Sequence, residues 1–440
     1  DKDKIKFIYH EDCHKYYSYY FFPDRKDGIA ITAEGIGDYS NGSVSTVKKD
    51  KFNLISFNKE NHLGHIYQYI TLLLGMKPGN HEYKVMGLAP YASKYEISKC
   101  YQIFEKVLKI KRLNIVFDKK PKDLFFHFKE KFKSSRFDGV AGALQKFLER
   151  KLEEWFLACN KKLNLKNFYF SGGVAQNIKA ALYLSKNKKI KKIFVPPAAG
   201  DTTISIGACY FSAVNLLKYK KNIHSINSMY LGSKLNVSEI KFLINKKKLN
   251  KKYIIKSAFK PRDVAIEISN GAVIGRCSGR MEFGLRSLGN RSILCDPRFS
   301  ENINKINFKI KKRDFWMPFT PTILKEDFKK FIINPKKIEA RFMSMAFDTT
   351  KKGRDVLKAA IHPADFTARP QMLSKEDNPE YYEIINSFKK ITGVGALLNT
   401  SLNLHGLPVV RNAIDALYVF ENSGLDVLIL ENFIFKKKKI

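Results

Sequence analysis

Arginine is scarce in this sequence: only 15 of its 79 basic residues are Arg, and the other 64 are Lys. Acid is scarce as well, with 42 Asp and Glu leaving a formal net charge of +37. An excess of that size suits a nucleic acid or an anionic membrane. The lysine runs at 48–51, 187–192, 246–252 and 436–439 lack interleaved arginine or aromatic residues. That is the pattern of solvated faces, not of a base-stacking groove, so nucleic acid is not the expected partner. Cysteine is sparse too: Cys13, Cys100, Cys159, Cys209, Cys277 and Cys295 form no C-x-x-C pair. This excludes a disulfide ladder or a cysteine zinc site and suits a reducing cytoplasm. No apolar run approaches the ~18 residues of a membrane span, and no signal-peptide pattern is visible.

A chain of 440 residues has room for two or three domains with their own cores. Residues 1–50 read as a helix start followed by a hairpin, with a strand at 28–33 ending in the glycine-rich turn 34–38. Helical periodicity runs through 62–76 and 138–165. Two short buried strands, 167–170 and 193–195, break at glycines and lead into helices, the α/β pattern in which ligands sit at strand C-termini. The lysine- and asparagine-rich stretch 216–256 reads as irregular, which places a domain boundary there, between 225 and 226. Beyond it, 265–276, 343–348 and 393–398 read as strands, and the tail 436–439 as a frayed end. No internal repeat is present.

The scarce arginine is concentrated. Six of the 15 fall between Arg276 and Arg313, in and around the run Gly279-Arg280-Met281-Glu282-Phe283-Gly284-Leu285-Arg286-Ser287-Leu288-Gly289-Asn290-Arg291-Ser292. Arginine offers a planar, permanently charged fork for phosphate or carboxylate, and the glycines let backbone N–H groups approach an anion. The expectation is one pocket for polyanions on which these guanidinium groups converge. His10 and His14, four apart, present two imidazoles on one helix face and could share a metal. Glu34 and Asp201 are candidate oxygen ligands, Asp201 serving equally well as a helix N-cap. A mixed His and carboxylate set suits iron, manganese or zinc. Ser171-Gly172-Gly173 before a helix can cradle phosphate.

The blocks 81–92, 171–177, 196–208, 279–298, 362–373 and 398–408 together resemble the NodU/CmcH carbamoyltransferases. The resemblance implies an actin- and hexokinase-like (ASKHA, ribonuclease H-like) α/β domain over 1–225 and a YrdC-like α/β domain over 226–440. It implies an ATP-dependent O-carbamoyltransferase that makes carbamoyl adenylate from carbamoyl phosphate and ATP with Mg2+. The carbamoyl group then passes to a hydroxyl of a sugar-containing acceptor beside an iron-type divalent metal. By motif, the metal falls to His10, His14 and Asp201, with Glu34 where the family has an aspartate. The nucleotide-contacting loop falls to Ser171, Gly172, Gly173 and Asn177. The adenylate-forming site falls to Arg280, Arg286, Arg291, Ser292, Lys311, Arg313, Asn399, Thr400 and Ser401. Phe366 stands for a usual glycine and Leu407 for a usual acid. The family extends further before His10, so the resemblance implies a chain lacking the first strands of its sheet and an edge left unpaired. A small-molecule or saccharide acceptor is the expected partner, and a homodimer is compatible with the reading.

Overall fold

The computed structural model describes residues 4–219 and 223–438. The chain divides into two compact units. The first comprises Asp1–Asn227 with Pro335–Glu339 and Ser344–Ala346; the second comprises Ser228–Asn334, Ala340–Met343 and Phe347–Ile440.

The first unit is built on a five-stranded sheet, ordered Lys51–Asn58, Gly42–Lys48, Gly28–Ala33, Asn167–Ser171, Lys192–Phe194. The first three strands form an antiparallel meander, and the last two run parallel to Gly28–Ala33. That order and those directions are the ribonuclease H-like pattern of the actin- and hexokinase-like class. Gly28–Ala33 is buried along its whole length, as a central strand covered on both faces must be. It is paired on both sides, so the expected bare edge is not at the first strand; the edges are Lys51–Asn58 and Lys192–Phe194.

Two helices flank this sheet. Phe137–Leu163 buries Val140, Leu144, Phe147, Leu148, Leu152, Trp155 and Phe156 and ends at Asn164 in the left-handed conformation. His10–Tyr20 buries nine of its eleven residues, because its tyrosine rings spend their hydroxyls locally. Tyr17 donates to Pro197 O at 2.8 Å, Tyr19 to Asp50 at 2.7 Å, and Tyr16 accepts from Asn215 at 2.8 Å. A buried tyrosine needs such a partner for its polar end.

The second unit carries a mixed eight-stranded sheet, ordered Gln371–Leu373, Thr320–Leu324, Ala396–Ser401, Arg291–Cys295, Ile274–Cys277, Val427–Leu430, Phe433–Lys437, Tyr253–Ser257. Its core joins Ile293, Cys295, Leu398, Leu402, Leu417, Phe420, Leu428 and Phe435. Four local expectations fail here, in whole or in part. Residues 265–276 are mostly the helix Pro261–Ser269, with the strand confined to Ile274–Cys277. Val264, Ala265 and Ile268, at i, i+1 and i+4, bury one helix face behind Pro261 at the helix start. The stretch 216–256 contains the helices Val237–Lys246 and Leu249–Lys252 and the strand Tyr253–Ser257. The lysine tail pairs as the end of Phe433–Lys437 against that strand; Lys439 lies outside the described residues. Only Phe347–Thr349 of the expected strand 343–348 is one.

Candidate active site: two polar centres

In the first unit, the helix His10–Tyr20 starts with Glu11 and Asp12 in its first turn, where acids favour the helix dipole. Its spacing aims His10 and His14 at the turn after Gly28–Ala33. There Glu34 meets them, and Asp201 arrives from the turn after Lys192–Phe194. The four donor atoms lie within 4.8 Å of one another. The two Nε2 atoms are 3.0 Å apart. Glu34 Oε1 is 2.7 Å from His14 Nε2 and 3.9 Å from His10 Nε2; Asp201 Oδ1 is 3.4 Å from His10 and 3.5 Å from His14. His14 and Glu34 are buried, while Asp201 is exposed.

The electrostatics favour a cation at this point. Asp201, then Glu34, push the His10 imidazole up to about 10 against the opposing effect of burial. At His14 burial opposes, and the same carboxylates outweigh it to raise the imidazole. Asp201 is held below its ordinary range by His10 and His14, and Glu34 is lowered by the two histidines despite its burial. The two imidazole nitrogens stand 3.0 Å apart, near enough to share one ion at bond lengths of ~2.1 Å. Glu34 Oε1 lies 2.7 Å from His14 Nε2 and has no further hydrogen-bond partner. The donor set therefore fits a divalent ion.

The Ser171-Gly172-Gly173 turn belongs to this centre. Ser171 is buried and its hydroxyl donates to His14 O at 3.0 Å, fixing the histidine helix to the sheet. Gly172 has φ +98°, and a Cβ there would lie 2.4 Å from Ala33 O and 2.8 Å from Glu34 Oε1; a Cβ on Gly173 would lie 2.9 Å from Glu34 Oε2. The glycines make room for the Glu34 carboxylate. Asn177 is an N-cap: Oδ1 accepts from Ala180 N at 2.9 Å and from Gln145 at 3.0 Å, and Nδ2 donates to Gln145 at 2.9 Å. Ser171 and Asn177, expected as nucleotide contacts, make these hydrogen bonds within the fold.

The six arginines between Arg276 and Arg313 do not converge on one pocket. Arg276 is buried, donating to Gly289 O at 2.7 Å, Asn290 at 2.8 Å and Glu380 at 3.0 Å. Arg291 is buried and donates to the backbone carbonyls of Ser278, Gly279, Asn290, Ser233 and Arg411. Arg298 forms a fork with Asp296. Arg280, at the surface, donates to Leu231 O at 2.6 Å. A buried guanidinium is costly unless hydrogen-bonded, and the terminal nitrogens of Arg276 and Arg291 tie several loop carbonyls together, while their Nε atoms stay unpartnered. Arg291 and Arg280, expected at the adenylate-forming site, are held here by backbone carbonyls.

Arg286 and Arg313 behave differently. Burial, then Arg286 and Arg313, hold the Arg369 guanidinium well below the ordinary arginine range. Burial, with Arg313, does the same to the Lys311 ammonium. Lys311 ends a π-helical turn, and Lys312 follows in the left-handed conformation at φ 44°. Lys311 Nζ is held by Ser401 O and Oγ and by Asn403 O and Oδ1. The expected residues also include struts: Ser292 accepts from Gly289 N at 3.0 Å, and Asn399 donates to Ser287 O at 3.1 Å. Thr400 is buried on the same strand. Arg369, Asn403 and Glu282 were not singled out from sequence, although all three lie inside the quoted motif blocks. Cations that repel one another in a half-buried setting are relieved by a bound polyanion.

Comparison with known proteins decides the family. Residues 1–210 match the carbamoyltransferase N-terminus and residues 265–437 the carbamoyltransferase C-terminus. The chain belongs to the carbamoyltransferase family. This carbamoyltransferase is 32% identical to nodulation protein NolO of Bradyrhizobium diazoefficiens, over 94% of this chain and 76% of that one. It is 33% identical to an uncharacterized protein of Methanocaldococcus jannaschii, over 99% of this chain and 84% of the relative. Among solved structures, full-length HypF in its phosphate- and nucleotide-bound form aligns with TM-score 0.30 at 16% identity, over 40% of this chain and 22% of that one. At that score the likeness supports no argument about this carbamoyltransferase. No helix among its described residues is long and apolar enough to cross a membrane.

Proposed function

We propose that this carbamoyltransferase is ATP-dependent and works in two stages, one in each unit. The observation that carries the reading is the grouping of Arg286, Arg313, Arg369 and Lys311: burial first, and then repulsion from neighbouring guanidinium groups, lowers Arg369 and Lys311. Carbamoyl phosphate and ATP together bring enough negative charge to offset it, and Arg286 and Arg313 would stabilise charge that develops on the phosphoryl oxygens. Carbamoyl phosphate loses phosphate to water. The freed carbamate oxygen bonds to the α-phosphorus of ATP, pyrophosphate departs, and carbamoyl adenylate is left. A hydroxyl of a sugar-containing acceptor then attacks the carbamoyl carbon, and AMP leaves with the bonding pair.

In the first unit, His10, His14, Glu34 and Asp201 would hold an iron-type divalent ion. When bound, such an ion polarises a carbonyl or lowers the pKa of a hydroxyl. Glu34 and Asp201 hold positive charge at the centre, and Ser171 anchors the helix that carries both imidazoles. The test is pyrophosphate release from ATP that depends on carbamoyl phosphate. Arg286→Ala is expected to cut that rate by about 10²-fold; equal rates for variant and wild type would refute the assignment. His14→Ala should keep pyrophosphate release and lose carbamoyl transfer to the hydroxyl acceptor.

A further inference from the structure

From Glu282 to Arg291 the second unit makes a loop with left-handed glycines at Gly284, φ 100°, and Gly289, φ 118°. A loop of this composition gains mobility from its glycines unless its backbone groups are tied down. One half of it is tied completely. The N–H groups of Leu288, Asn290 and Arg291 all donate to a single oxygen, Glu282 Oε1, at 2.7, 2.9 and 3.2 Å. Gly289 N donates to Ser292 Oγ at 3.0 Å. Leu288 O accepts from Tyr230 at 2.8 Å and Gln371 at 3.0 Å, Gly289 O from Arg276 at 2.7 Å, Asn290 O from Ser278 N at 3.0 Å, and Arg291 O from Leu402 N at 2.9 Å.

Converging backbone N–H groups form an anion nest, and here the nest already encloses an anion of the chain itself, the buried Glu282 carboxylate. The N–H groups of 288–291 are thus not offered to a substrate phosphate, contrary to what the glycine spacing suggests. The tip is different: Gly284 and Leu285 are exposed, and Arg286 follows them toward Arg369.

We propose that Glu282 is the positioning residue for Arg286: its carboxylate folds the loop onto itself so that only the tip arginine is presented to the anionic reactants. This rests on the reading of the second unit as the site of ATP and carbamoyl phosphate. Binding of ATP with Mg2+ to the full chain, measured by calorimetry, tests it with Glu282→Gln, Arg286→Ala and the double variant. Glutamine keeps an acceptor oxygen and removes the charge, so it is expected to weaken ATP by about tenfold, the loss of one charge-assisted contact. If Glu282 acts through Arg286, the double variant binds ATP no more weakly than Arg286→Ala alone, and Glu282→Asp recovers part of the affinity. Losses that multiply in the double variant, or unchanged ATP affinity in Glu282→Gln, overturn the proposal. A wild-type chain that binds no ATP overturns the reading of the second unit and the proposal with it.

Discussion

Gly172 and Gly173 are adjacent, and both face the Glu34 carboxylate, but alanine at each should do different things. At Gly172 an added Cβ meets the backbone of the central strand, 2.4 Å from Ala33 O, at φ +98°. Neither the strand nor that dihedral can yield cheaply. Left-handed strain costs of order 1–3 kcal/mol, and overpacking adds roughly 1–3 kcal/mol more, so Gly172→Ala should lose about 2–6 kcal/mol. At Gly173 the only close atom is Glu34 Oε2 at 2.9 Å, the end of a rotatable side chain, and φ is not positive. Gly173→Ala should therefore cost under about 1 kcal/mol of stability. It should still displace one ligand of the four-donor cluster and weaken divalent-metal binding by about 10–100-fold. Urea unfolding and calorimetric titration of Mn2+ on the same preparations separate the two effects. A Gly173→Ala chain with wild-type metal affinity would refute the claim that these glycines exist to seat Glu34, and a Gly172→Ala chain with an unchanged urea midpoint would refute the packing argument.

Three further outcomes are expected. Arg291→Lys cannot reach the carbonyls of both Ser278 and Arg411 that the guanidinium spans, and leaving them unpaired should cost about 2–4 kcal/mol in urea midpoints. A divalent ion present at a hundred times its dissociation constant should stabilise the wild type by about 2.7 kcal/mol, and thermal scans should show no such gain in His14→Ala. Burial pushes the Cys13 thiol up to about 11 and those of Cys159, Cys277 and Cys295 to about 12, whereas Cys209 is exposed. Iodoacetamide at mild alkaline pH should therefore label Cys209 first by mass spectrometry, and equal labelling of Cys13 would contradict the packing of its helix.

The family, and with it the kind of chemistry, could be read in the chain because its motifs are local: an arginine-rich block in a lysine-rich protein, and two histidines one helical turn apart. The four-donor cluster was legible for the same reason, since an i, i+4 pair fixes two ligands before any folding. Side-chain roles inside the motifs were not legible. Arg286 and Arg291 are five apart in one run, yet one faces the cation cluster and the other is sealed among carbonyls. Sequence records the residue type but not which neighbours the fold gives each guanidinium. The same holds for Ser171 and Asn177, whose partners His14 and Gln145 come from helices far away in the chain. The helix Pro261–Ser269 was misread because a short apolar run satisfies both periods until a partner surface selects one face. Local spacing thus determined which groups this protein can bring to its chemistry. Long-range packing decided which of them stay available, because burial forces every polar atom to find a partner and those that find one inside the fold are spent.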